Sequence, residues 1–393
     1  MLNRKQLGLR LRRSWWPSAR ARSRTVLMTA GLIFVAAGLG LAAYFQGFEV
    51  DTFDWTGATR VPTSTRGVPS KTGVFHAEDQ NFSGSTFTRW GGYSKTFPTG
   101  GYTTSIDIYL DVTAPYMNGT GYSNDTRFDW SSAINDTACA HRRDFVFNAG
   151  FYTDTDLTGS GPRFVISASN NATRSGANPK NPGRTPFTIS VEGWYTFEHR
   201  FRDNGFGVLA VDLTIKNAAG VPLMTWTLSD PSDVIGSTVG GNRYGWFVIN
   251  EFPYLAFDNS ALIGFQDYCE IPASTPGAKV TGGGWIPWAG DKATFGLTAK
   301  ANANGVASGN LTYQDHGTPG RTVKSTAITY VTVSGNCADI GGNATVNGSG
   351  SAGFQVRVCD NGEPGKDSDT FSILMSDGYT ASGTLGGGNI QIH

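Results

Sequence analysis

Trp194–Lys216 reads WYTFEHRFRDNGFGVLAVDLTIK, and the alternation within it decides the fold class. Tyr195, Phe197 and Phe201 share one side of the first half, and Leu209, Val211, Leu213 and Ile215 share one side of the second. A period of two over both halves describes two half-buried strands, and a glycine between them suits a tight hairpin. Matching the apolar sets places Phe201 opposite Leu209 and Phe197 opposite Leu213, around a three-residue loop, Asn204-Gly205-Phe206. Glu198 then faces Asp212 on the polar side, with Trp194, Arg200 and Arg202 beside it.

Carboxylates directly opposite each other across a strand pair stand only about 5 Å apart at Cβ and repel. Three compensations fit these residues. Arg200 or Arg202 neutralises the pair on a solvated face; a cation such as Ca²⁺ sits between the acids; or the two work as acid and nucleophile, as in retaining glycosidases. Trp194 offers a flat aromatic face suited to a sugar ring, or packs as an ordinary half-buried tryptophan.

Outward from this hairpin the same chemistry continues. Ser105–Asp111 alternates over most of its length, and Phe145-Val146-Phe147, Phe164-Val165-Ile166 and Trp246–Ile249 are short apolar runs between turns. With 52 Gly, 24 Phe, 14 Tyr and 10 Trp, the chain favours twisted strands and tight turns over helices. Residues 74–270 are expected to form a jelly-roll sandwich, residues 271–278, with two prolines among small residues, a linker, and residues 279–393 a second, smaller β-sandwich. Residues 46–73, rich in Thr, Ser, Gly and Pro, read as a polar connector. Within it Glu49–Asp54 imitates an E-x-D-x-x-E catalytic strand, but its last acid is Asp54.

Ahead of this all-β body stands one N-terminal transmembrane or signal helix. Residues 1–25 carry eight of the 31 basic residues and no acid, which holds that end in the cytoplasm. Val26–Phe45 is twenty residues without charge, long enough to cross a bilayer, and Gly40-Leu41-Ala42 is a usable cleavage site. The body is therefore expected outside the cytoplasm, anchored to the membrane or secreted after cleavage. The chain's 31 acidic residues all follow the leader, so the exported part is acidic and carries no nucleic-acid footprint.

Four cysteines without CxxC spacing in an exported chain favour disulfides. If each body holds two, the pairs are Cys139–Cys269 and Cys337–Cys359, with free buried cysteines as the alternative. Asp154 and Asp156 open a calcium-like loop that lacks an EF-hand's terminal Glu, having Val165 there, and Asp360 with Glu363 forms a second acid-rich turn. The five histidines show no zinc-site spacing.

Through Gly101–Leu110 and Gly193–Phe201 the larger body resembles the concanavalin A-like, laminin-G-like superfamily. Through Val280–Ile286, Tyr313–Gly317, Asp360–Gly365 and Gly386–His393 the smaller one resembles the post-COAP modules of bacterial exported proteins. With the export segment and no specific catalytic motif, the expectation is a bacterial surface protein whose lectin-like jelly roll binds extracellular glycan or another surface ligand, without established catalysis, and the hairpin reading makes Trp194, Glu198, Arg200, Arg202 and Asp212 the candidate contacts. The alternatives are a glycoside hydrolase or polysaccharide lyase using Glu198 and Asp212, and a ligand-free envelope scaffold.

Overall fold

The computed structural model describes residues 42–80, 86–113, 117–118, 121–122, 126–152, 161–172 and 178–393. The expected N-terminal helix falls mostly outside these residues. Strands are numbered in chain order. An eight-stranded antiparallel sheet runs, edge to edge, β15 (Pro222–Val234), β14 (Val208–Lys216), β13 (Gly193–Asp203), β6 (Tyr102–Leu110), β17 (Leu255–Ile263), β4 (Phe75–Asp79) and β3 (Ala58–Pro62), and β1 (Ala42–Gln46) adds to one end of β17. A seven-stranded sheet runs β12 (Phe187–Ile189), β11 (Arg163–Asn170), β10 (His141–Tyr152), β9 (Arg127–Asn135), β16 (Asn242–Asn250), β5 (Phe87–Thr88) and β2 (Trp55–Thr56). A small hairpin, β7 (Met117–Asn118) with β8 (Gly121–Tyr122), stands apart from both sheets.

The alternate apolar positions of the two sheets meet in one core rich in rings. Phe128, Trp130, Phe145, Phe147, Phe197, Phe201, Phe247 and Phe257 are all within 1 % of complete burial. Ring pairs such as Phe147 with Phe197 (5.1 Å, near perpendicular) and Tyr102 with Phe201 (4.4 Å, parallel) cross between strands, the geometry aromatic quadrupoles prefer when they do not sandwich squarely. Gly245 makes this packing possible, since a Cβ there would stand 2.3 Å from Trp90 and 2.8 Å from Trp130. At one edge the sheets are braced by charge. Asp233 of β15, fully buried, takes hydrogen bonds from Arg142 and Arg143 of β10, and Arg143 also meets Asp230 at 3.2 Å.

Two boundaries differ from the sequence reading. Ala42–Gln46 is a strand paired with Ser260–Ile263, and Tyr44 and Phe48 lie in the core, so the last residues of the twenty-residue apolar run belong to the sandwich. Nor is 46–73 a free connector. It supplies β2, β3 and the core ring Trp55, while Glu49 accepts the backbone N–H groups of Val74 and Phe75, and Asp54 those of Arg89 and Gly91. The acids of the E-x-D-x-x-E look-alike therefore hold backbone in place. Apolar residues in a run read alike whether they face lipid or a protein core, and only pairing with the distant β17 separates the two.

The second body is one nine-stranded antiparallel sheet: β25 (Thr380–Thr384), β24 (Thr370–Met375), β23 (Ser349–Cys359), β22 (Cys337–Val346), β21 (Arg321–Ser334), β20 (Ala307–Asp315), β19 (Asp291–Ala301), β18 (Lys279–Trp288) and β26 (Gly387–Ile392). It curls until Gly383 of β25 lies against Ile286 of β18, enclosing its own core around Phe295, Tyr313, Phe354 and Phe371. The expected linker is docked on this sheet. Ser274 and Thr275 accept hydrogen bonds from Val331 and Val333, covering a stretch of β21 that runs past its pairing with β20. The two bodies also meet directly. Tyr268 packs edge-on against Tyr330 at 5.7 Å, and Gln355 donates to the Gln266 carbonyl at 3.1 Å.

Both disulfides form with the expected pairing, Cys139–Cys269 in the larger body and Cys337–Cys359 across β22 and β23. Two closed disulfides and no free cysteine among the described residues fit an extracellular or otherwise oxidising environment.

Candidate functional site

The hairpin singled out by sequence forms, with its faces as expected, but its register is shifted by two. Phe201 pairs with Val211, Arg200 with Asp212 and Glu198 with Thr214. The turn explains the shift. Asp203 accepts N–H bonds from both Gly205 and Gly207, both glycines have positive φ, and Asn204 closes onto Val208, so Phe206 rather than Gly205 becomes the centre. An even shift leaves each residue on its own side and changes only its neighbours.

The acid pair is thereby dissolved. Glu198 binds the Lys216 ammonium, while Asp212 takes a two-pronged bond from Arg202 (2.7 and 2.9 Å) and a third from the Thr227 hydroxyl. The Arg202 bond, joined by Thr227 against the cost of partial burial, holds the Asp212 carboxyl below its ordinary range. Trp194 is 7 % exposed, donates its indole N–H to the Pro69 carbonyl at 2.8 Å, and packs edge-on against Tyr109 and His76. Covered by the loop that carries Pro69, it presents no free ring face. Arginine neutralisation is the compensation seen for Asp212, whereas Glu198 uses a lysine that the sequence reading did not weigh.

The acid-rich turn of the second body is likewise occupied by its own backbone and amides. Glu363 accepts from Asn389 and Gln391, Asp369 from Asn361 and Ile390, and Asp360 from Ile392. Asp154 and Asp156 lie outside the described residues, and among the described residues no group of three acidic, His or Cys side chains is placed to hold a metal ion.

Chemistry collects instead on the outer face of the seven-stranded sheet. Tyr244 and Trp246 of β16 meet ring to ring at 5.6 Å, and His141 of β10 stacks parallel to Tyr244 at 6.0 Å. The Arg243 guanidinium lies over Tyr93 (4.7 Å) and Tyr244 (5.4 Å). Next to this strip is a hollow of about 20 Å³, room for one or two waters, lined by Asp129, Asp144, Asn148, Ser169, Asn171 and Trp246 among others. Asp144 is its hub. One carboxylate oxygen accepts from Ser131 (3.1 Å) and the Trp246 indole (3.3 Å), the other from His141 (2.9 Å) and Asn171 (3.2 Å). Burial opposes the charge of Asp144, but the bonds from His141, Asn171 and Ser131 outweigh it and keep the carboxyl below its usual range. Burial, then the nearby Asp144 charge, pushes the Tyr244 hydroxyl up to about 12.

Sequence reasoning passed over this face because it treated Phe145-Val146-Phe147 as a wholly buried run. The signal was present in the alternate positions: Asp129 and Ser131, Asp144 and Asn148, Ser167 and Ser169 interleave with core Phe128, Trp130, Phe145, Phe147 and Ile166. Asp129 pairs with Asn148, four residues beyond Asp144 on β10, so about 13 Å of strand separates the backbone positions of the two acids that line the hollow. No protein-family model matches the chain, and no curated protein matches it in sequence. The fold and the site thus define a class, a curled-sheet β-sandwich protein with disulfides and an outward aromatic and amide face.

Proposed function

We propose that the protein works outside the cytoplasm as a glycan-binding, non-catalytic surface protein of the concanavalin A-like kind, with its ligand on the outer face of the seven-stranded sheet. The observation that carries this reading is the partly open strip His141–Tyr244–Trp246 beside the exposed amide of Asn171, while Asn148 and Ser169 lie buried below it, bonded to each other. A pyranose offers one apolar ring face and a rim of hydroxyls; the Tyr244 and Trp246 rings suit the first, and the exposed Asn171 and His141 suit the second. The uncharged stretch ahead of β1 serves as the export element. Cleavage after Ala42 would leave Ala43–Gln46 free to complete the sheet with β17. The C-terminal sheet acts as an accessory body, in contact with the larger one through Tyr330 on Tyr268 and Gln355 on Gln266.

A glycan array probed with the exported portion tests the reading. Retention on at least one polysaccharide is expected, with Trp246→Ala weakening it about tenfold or more, the loss of roughly 1.4 kcal/mol or more of stacking and hydrogen bonding. Equal binding by wild type and Trp246→Ala, or none at all by the wild type, sinks it.

A further inference from the structure

Two carboxylates do face each other on the outer side of the eight-stranded sheet, from residues other than Glu198 and Asp212. Asp107 of β6 and Asp258 of β17 are direct cross-strand partners, 6 % and 0 % exposed, where the ladder bulges between Asp258 and Ala261. Over them lies the loop Thr63–Val74, which joins β3 to β4 and folds back onto the sheet face. Asp258 is the loop's anchor, accepting the backbone N–H groups of Lys71 (3.0 Å) and Thr72 (3.2 Å) with one oxygen and that of Asn259 with the other. Asp107 is held by the Thr196 hydroxyl and the Asn259 amide.

Among the described residues no cation is paired with either acid. From the loop, Lys71 sends its ammonium to the Ala218 carbonyl and Arg66 pairs with Glu78 of β4. From β14, Lys216 pairs with Glu198 of β13. From β4, His76 is fully buried, its Nδ1 at 3.2 Å from the Ser70 hydroxyl and its Nε2 without a hydrogen-bond partner, and burial lowers its pKa. Tyr109 of β6 bonds Glu192. Two buried acids with only neutral donors around them cannot both ionise cheaply.

We propose that the loop Thr63–Val74 is a proton-dependent latch, closed over the outer face of the eight-stranded sheet while Asp258 holds a proton beside Asp107, and loosened when Asp258 ionises. Burial, reinforced by Asp107 and only partly offset by the three N–H bonds, pushes the Asp258 carboxyl up to about 7. Once the loop lifts, water reaches the pair and the affinity for the proton falls toward that of an ordinary carboxyl near 3.8. The closed form therefore binds more protons, and closure weakens as pH rises between those two values and changes no further above the higher one. Opening uncovers Trp194 and His76.

Amide hydrogen exchange of the full chain, followed at Lys71 and Thr72 and corrected for the intrinsic pH dependence of exchange, tests this. The opening constant is expected to rise by up to tenfold per pH unit between about pH 5 and 7 and to level off above. Asp258→Asn, which keeps an oxygen for the two N–H groups but cannot ionise, is expected to flatten the profile. Asp107→Asn, which removes the repulsion, is expected to move the rise to lower pH, and serves if the first variant does not fold. Equal protection at pH 5 and pH 8 in the wild type overturns the proposal, as does a slope that survives in Asp258→Asn. Neither outcome bears on glycan binding at the opposite sheet.

Discussion

The two outer faces of the larger body are built from the same alternation of polar and apolar residues, yet they differ in what lies over them. On the eight-stranded sheet, Trp194 is roofed by Pro69 and its acids are tied to arginine, lysine or backbone N–H groups. On the seven-stranded sheet, Tyr244 and Trp246 remain partly exposed and His141 is open to solvent. A polar strand face with a tryptophan is thus no evidence of a binding site until its cover is known. The residue types that suggest a sugar platform also suffice to seat a loop.

The contrast can be broken or sharpened by experiment. The largest effect is expected at the brace that both faces depend on. Asp233→Ala leaves Arg142 and Arg143 without their buried partner and should destabilise the body by about 3–5 kcal/mol, measured by denaturant unfolding. A cost below 1 kcal/mol would mean that the sheets are held by the aromatic core alone.

A pH effect on stability follows from His199, which faces the core with Nε2 bonded to the Phe145 carbonyl and whose pKa burial lowers to about 3. The folded state binds fewer protons than the unfolded chain below pH 6.5, so His199 opposes folding increasingly as pH falls from 6.5 toward 3, by up to about 1.4 kcal/mol per pH unit. His199→Phe should remove that slope; an unchanged acid limb would show that other groups govern acid unfolding.

The smallest effects are expected where the sequence first pointed. Glu198→Gln removes one partner of a partly exposed ion pair and should cost less than about 1 kcal/mol in thermal unfolding, with glycan retention unchanged. If retention falls with Glu198→Gln and not with Trp246→Ala, the faces have been assigned the wrong way round.

Much of this organisation was legible in the chain. Alternation in Tyr195–Phe201 and Leu209–Ile215 marks their core side correctly, because a strand's side chains repeat every two residues whatever its partner. The cysteine pairing followed from each body holding two. The acid pair was misplaced because a two-residue slip preserves the faces and only the turn geometry at Asp203–Gly207 rejects it. The pair at Asp107 and Asp258 was invisible because its members lie far apart in the chain.

By itself the sequence determined periodicity and the inward faces, both set by local side-chain chemistry and backbone preference. Tertiary structure alone decided that Tyr44 belongs to a core, that Thr63–Val74 covers one face and that Trp246 stands partly exposed on the other. Those outcomes rest on contacts between residues remote in the chain, and a pattern of period two carries no information about which remote surface a residue will meet.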